Sequence, residues 1–245
     1  MNHVLIATHN CLELTKRCVE SIFSQDVPTR VCIVDNGSVD GSAEWCQENR
    51  YLWSSFNHNA GVTAAWNIGL ELLLEDFPKP HVFVVNNDTV LPPWFCRRLL
   101  ERPELMVSGI SVGSMEEIAT EPGPMEPSPS FDFSAFLIRR EAWLRIGHFD
   151  LDLVNYCQDL DYHLRAHRAG INIVNSGIGF FHERSSTLRL ASPKDRRLIE
   201  LQADADRETF FRKWSFPTWS PEYAKAFSPE TFGIDRSEVK EIQGA

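Results

Sequence analysis

His81-Val82-Phe83-Val84-Val85-Asn86-Asn87-Asp88-Thr89 changes character in one step, from a short β-branched apolar run to four polar residues. The apolar part reads as a strand. Three earlier segments follow the same pattern. His3–Thr8 ends in His9-Asn10, Val31–Val34 in Asp35-Asn36-Gly37-Ser38, and the weaker Leu52–Phe56 in Asn57-His58-Asn59. Between them, Leu12–Ser24, Ser42–Asn49 and Val62–Leu74 have helical character. Short strands alternating with helices predict an α/β fold with a mostly parallel central sheet. Ligands of such sheets sit beyond the carboxyl ends of the strands, where this chain carries Asn, Asp and His.

The second half is less regular. Glu116–Ser130 holds Pro122, Pro124, Pro127 and Pro129 among glutamates, and reads as a loop: a surface excursion or a lid facing an acceptor. A strand is predicted over Phe131–Ile138, a short helix over Glu141–Ile146, and a helix over Asp159–Ala169, stopped by Gly170. A strand over Asn172–Phe181 ends at His182, and a charged helix follows over Arg196–Trp214. From about Pro217 the chain is turn-rich, with Trp219 and Tyr223 expected as exposed aromatics, and it reads as a tail packed on the domain or on a partner. Trp214, Phe216 and Trp219 are candidates for a contact surface, including one between copies of the chain.

At 245 residues the chain can bury a core without disulfide staples. Its net charge of −10 disfavours long nucleic acid as a partner, although Arg139, Arg140, Arg196 and Arg197 leave room for a local basic face. Cys11, Cys18, Cys32, Cys46, Cys96 and Cys157 form no C-x-x-C pair and read as reduced thiols. No signal-peptide pattern and no apolar stretch of membrane-spanning length is present in the sequence, so the expected location is the cytoplasm.

Each chemical candidate has a structural alternative. Asp35 can cap the turn through Gly37 or accept hydrogen bonds from a nucleobase or ribose. Asp88 can close a turn or bridge Mg²⁺ or Mn²⁺ to a diphosphate, since these hard cations take one or two carboxylates plus phosphate oxygens. His182 can be a packed rim residue or complete that coordination. Asp159, at a helix start, can serve the helix dipole or take a proton from an acceptor hydroxyl. Asp161 lies about 200° around the same helix. It pairs at i,i+4 with Arg165, which makes it the structural member of the two.

As an ordered set the chain resembles the family-2 glycosyltransferases of the rhamnosyltransferase-like kind. The matching stretches are Ala7–Asn10, Val34–Ser42, Asn57–Gly61, Asn67–Gly69, Val85–Thr89, Ser134–Trp143, Gly147–Asp150, Gln158–Tyr162, His182 and Phe211–Trp214. The resemblance implies a single Rossmann-like, nucleotide-sugar-binding domain called GT-A. Its expected span is 1–215, with a nucleotide-binding half of about 1–90, an acceptor and catalytic half of about 91–215, and a tail over 216–245. It implies an inverting, Mn²⁺- or Mg²⁺-dependent transfer from a UDP- or dTDP-type sugar to a glycan, lipid-linked or small-molecule acceptor. On it, Thr8, Asn10 and Asp35 hold the nucleoside, and Asn59, Gly61, Asn67 and Asn87 complete the donor site. Asp88 and His182 hold metal, Asp159 is the base, and Ser134 and Asp161 are secondary or acceptor-side candidates. Three departures stand out: Asn86-Asn87-Asp88 keeps one carboxylate of the metal motif, Gln158 replaces a glutamate, and Ser134-Ala135 replaces Ser-Gly. They keep open a non-catalytic nucleotide-sugar-binding protein, beside transfer to a modified DNA base or a protein side chain.

Overall fold

A computed structural model describes residues 1–119, 126–127, 131–183, 189 and 193–226. Strands β1 (Asn2–Thr8), β2 (Thr29–Asp35), β3 (Leu52–Ser55) and β4 (His81–Asn86) pair in parallel in the order β3-β2-β1-β4. Helices α1 (Leu12–Phe23), α2 (Ser42–Glu48) and α3 (Val62–Glu71) connect them. The register sets Thr8 beside Asp35 and Ala7 beside Asn86, so the polar strand ends share one edge. That alignment turns the repeated sequence pattern into a cleft.

Beyond β4, the sheet continues through β8 (Ala135–Arg139), β6 (Met106–Val112), β9 (Ile173–His182) and β5 (Thr89–Val90). β8 is antiparallel to both β4 and β6, so β6 and β9 run in the direction of β1–β4. β5 and β7 (Glu126–Pro127) are antiparallel to β9. The result is the expected mostly parallel α/β sheet. In β4, Val82 and Val84 face a core built with α3, α5 (Arg140–Ile146) and α6 (Gln158–Arg168). Phe83 and Val85 face a second core with α1 and α4 (Phe95–Leu100). Burial on both faces explains the unbroken apolar run, and each such side chain contributes about 1.5–3 kcal/mol.

Helix α7 (Pro193–Trp214) and the short α8 (Pro221–Lys225) build a third cluster against α6 from Leu153, Cys157, Leu160, Leu164, Phe210, Trp214 and Tyr223. This corrects two surface expectations. Trp214 and Tyr223 are buried in that cluster, with Phe216 packed against it, while Trp219 is exposed. Phe210 and Trp214 of α7 and Tyr223 of α8 pack on Leu160 and Leu164 of α6.

Other differences have local causes. Phe131–Ser134 precedes β8 instead of belonging to it. The Asp132 carboxylate accepts from Ser111 N and Ser134 N, both at 2.9 Å, while Phe131 and Phe133 turn into the core. The helix expected over Val62–Leu74 continues past α3 as a π-helical turn, Leu72–Asp76. Of the proline-rich loop, Met115–Ala119 forms a 3₁₀ turn and Glu126–Pro127 forms β7; residues 120–125 and 128–130 lie outside the described residues, as does the tail beyond 226. No helix among the described residues is long and apolar enough to cross a membrane.

Candidate functional site

The ends of β1 and β2 are stitched by short polar contacts. Asn10 and Cys11 turn the chain after β1 with φ of 56° and 61°. Asn10 N donates to Ser38 Oγ at 2.7 Å, and its Oδ1 accepts from Val39 N at 2.9 Å. Thr8 Oγ1 lies 2.8 Å from Thr15 Oγ1, and Asn87 Nδ2 donates to Thr15 Oγ1 at 3.1 Å. Thr8, Asn10 and Asn87 are therefore gathered at one place. Asn36, not singled out in the sequence, links the next layer: its Nδ2 donates to Asn59 Oδ1 at 2.9 Å and its Oδ1 accepts from Ala60 N at 2.8 Å. Its signal was its place after Asp35 at a strand end.

Asp35 is 1% exposed. Its Oδ2 accepts from Ser38 N at 3.2 Å and Ser55 Oγ at 3.0 Å, while buried Oδ1 has no hydrogen-bond partner among the described residues. Buried carboxylate oxygens are ordinarily satisfied. Asp35 Oδ1 is therefore an acceptor with spare capacity at a strand end.

Gly61 has φ 88°, and a Cβ there would lie 2.4 Å from Val154 Cγ1 and 2.5 Å from Val154 O. Gly61→Ala is expected to destabilise the protein by about 3 kcal/mol, from backbone strain plus overpacking; thermal denaturation checks this. Asn67 does not join the cleft through its side chain. Its Nδ2 donates to Phe149 O and its Oδ1 accepts from Phe149 N, both at 2.8 Å, tying α3 to the loop before α6.

Asp88 and His182 are far apart in sequence and meet because β5 pairs with β9, setting Thr89 opposite His182. His182 Nε2 lies 3.2 Å from Asp88 Oδ1, and Glu183 N donates to Asp88 O at 3.0 Å. Among the described residues, no group of three or more His, Cys, Asp or Glu side chains converges as a metal site. One carboxylate and one imidazole are a partial donor set. They suit a hard cation whose remaining ligands are phosphate oxygens and water, so the residues fit a metal that arrives with a diphosphate.

A second acidic group gathers at the start of α6. Asp159 stands in the first turn of α6, which the chain enters through Cys157 at φ 63°. Burial pushes its carboxyl above the ordinary aspartate range. A hydrogen bond from Leu160 N opposes this, and the negative charge of Asp132 adds to it. Asp132 was missed in the sequence; the available signal was an acid between two phenylalanines. Ser134 O accepts from Asn86 N at 2.8 Å, so Ser134 borders the turn that carries Asp88. Gln158 is buried, with Oε1 lacking a partner among the described residues. Asp161 is fully buried and committed to Arg165 Nε at 2.8 Å, Trp214 Nε1 at 3.0 Å and Lys213 Nζ at 2.8 Å. It belongs to the α6–α7 packing, on the side away from Asp159.

Among curated proteins, none matches this sequence. Solved structures share the fold at low identity. S. aureus TarS 1–349 in complex with UDP aligns with TM-score 0.58 and 17% identity over 99% of this chain and 78% of that one. The mannosyltransferase PcManGT from Pyrobaculum calidifontis, in complex with GDP-Man and Mn²⁺, gives 0.57 and 16% over 92% and 67%. Glucosyl-3-phosphoglycerate synthase from Mycobacterium tuberculosis, with Mn²⁺, UDP and glucosyl-3-phosphoglycerate, gives 0.59 and 14% over 89% and 81%. The family model for glycosyl transferase family 2 matches residues 3–163, which hold the strand-end cleft, Asp88 and Asp159. With that match over most of its length, the chain belongs to glycosyl transferase family 2 and is a glycosyltransferase.

Proposed function

We propose that the chain is an inverting glycosyltransferase that moves a sugar from a uridine- or thymidine-diphosphate donor to an acceptor hydroxyl in glycan biosynthesis. The observation that carries this reading is the meeting of Asp88 and His182, 3.2 Å apart, on the sheet edge that also holds Asp35. The free Asp35 Oδ1 is suited to the imide N–H of uracil or thymine. Thr8, Asn10, Asn59, Gly61 and Asn87 shape the pocket around the nucleoside and diphosphate, while Asn67 acts from behind it through Phe149. Asp88 and His182 would hold a divalent cation, which when bound offsets the charge of the departing diphosphate. Complexes of PcManGT and the phosphoglycerate synthase with Mn²⁺ support that choice.

Asp159 takes the acceptor proton as the acceptor oxygen bonds to the anomeric carbon. The bond from that carbon to the diphosphate breaks on the opposite face, so configuration inverts. Gln158, neutral where the family pattern has a glutamate, leaves Asp132 as the acidic neighbour that acts on Asp159. The six free cysteines favour a reducing compartment, and we place the reaction in the cytoplasm.

The base must be ionised to act, and its carboxyl titrates above the usual aspartate range. Activity is therefore lost on acidification at a higher pH than an ordinary aspartate would impose. Asp132→Asn removes a repelling charge, so the acid limb of kcat/KM is expected to move to lower pH; an unmoved limb would show that another group titrates. The function itself is tested by incubating the protein with Mn²⁺ and UDP-, dTDP- and GDP-sugars against sugar, lipid-linked and nucleoside acceptors. NMR of the product then reads the anomeric configuration. An inverted product from a UDP- or dTDP-sugar supports the reading, a retained one overturns the mechanism, and nucleotide binding without any product favours a binding protein.

A further inference from the structure

Asp206, on α7, is completely buried, and its carboxylate collects three successive backbone N–H groups from the loop before α6. Val154 N donates at 3.1 Å, Asn155 N at 2.9 Å and Tyr156 N at 2.8 Å. Gln202, one turn earlier on α7, donates Nε2 at 2.8 Å. Three consecutive N–H groups converging on one anion form a nest, here filled by the protein's own carboxylate. A charged acceptor makes each of these bonds stronger than a neutral one would.

The loop so held works in two directions. Toward the donor side it caps α3: Asn155 Oδ1 accepts from Val62 N at 2.9 Å, and Val154 O accepts from Thr63 N at 3.2 Å. Val154 also sits where Gly61 has no room for a Cβ. Toward the acceptor side, the chain leaves the nest at Tyr156, turns through Cys157 at φ 63° and enters α6, where Asp159 is the second residue. Only two residues separate the last nest N–H from Asp159, so little slack remains between them.

We propose that Asp206 is a positioning residue for sugar transfer, which fixes the 154–157 loop from α7 and through it the place of Asp159 against the donor. The proposal rests on the reading of Asp159 as the base. Residue 206 lies outside the stretch matched by the family model, which ends at 163. A part of the chain beyond that stretch thereby sets the geometry of the reacting groups.

The test compares wild type, Asp206→Asn, Asp159→Asn and the double variant, using the donor that turns over in the panel above, with UDP and Mn²⁺ as the binding probe. Asp206→Asn is expected to stay folded, with donor KM and UDP affinity within about threefold of wild type and kcat lower by about 100-fold, the scale of a misplaced catalytic group. In the Asp159→Asn background the same change is expected to lower kcat by less than about threefold more, because coupled groups are not additive. Unchanged kcat in folded Asp206→Asn would overturn the proposal, as would a fully additive loss, which is the mark of a merely structural residue. Should Asp206→Asn not fold, Gln202→Ala removes one carboxylate partner and leaves the nest. A severalfold lower kcat at unchanged KM, absent in the Asp159→Asn background, supports the proposal, and unchanged kcat sinks it. If Asp159→Asn alone retains full turnover, the reading of the base fails, and the proposal falls with it for that separate reason.

Discussion

Asp159→Asn is expected to lower kcat by about 10³-fold, the usual scale for loss of a general base, and to leave nucleotide affinity nearly unchanged. The residues proposed to hold the nucleoside, Thr8, Asn10 and Asp35, sit on β1, β2 and the turn after β1 and not on α6. The same variant is expected to be more stable at neutral pH. Asp159 titrates higher in the folded protein than in the unfolded chain, because burial penalises its charge. The folded state therefore binds more protons between the two pKa values, and stability falls as pH rises through that window. At neutral pH the ionised carboxylate is a net cost that asparagine avoids, so the variant melts at a higher temperature than wild type. Below the ordinary aspartate range the gain disappears. Turnover by coupled nucleotide release and melting curves at two pH values check both halves. Loss of activity together with loss of stability would point to a structural role instead.

Asp88→Ala is expected to lower kcat/KM by about 100-fold and to remove most of the response to added Mn²⁺, since a bound cation supplies several kcal/mol of charge stabilisation to the leaving group. The effect is concentrated on one residue because Asn86 and Asn87 leave Asp88 as the single carboxylate of its motif. His182 is the partner set by strand pairing. Rates measured across a Mn²⁺ titration check this. A variant whose rate still climbs with Mn²⁺ as steeply as wild type would remove Asp88 from the metal site.

The parallel half of the sheet was legible because β1, β2 and β4 are buried on both faces and end in polar turns. Val82–Val85 illustrates both features, and the register of β1 against β2 and β4 then fixes the cleft without further information. β6 was not legible although it lies inside the sheet. Its sequence, MVSGISV, carries Gly109 where a Cβ would lie within 2.8 Å of Phe95, Phe180 and the carbonyl of Ile178. The packing that makes the glycine necessary is the same feature that hides the strand, since a glycine inside a strand weakens its signal. The Asp88–His182 meeting needed the two-residue β5, too short to show a period. Asp206 was invisible for a different reason. In the sequence it is one acid in a charged helix, and only folding brings it to N–H groups some fifty residues away.

The cleft at the strand ends stands or falls as a nucleotide-sugar site on calorimetric titration of the wild-type protein with UDP, dTDP and GDP, each with and without Mn²⁺. The account predicts binding of UDP or dTDP that tightens when Mn²⁺ is present. Absence of binding by all three nucleotides under both conditions would contradict it.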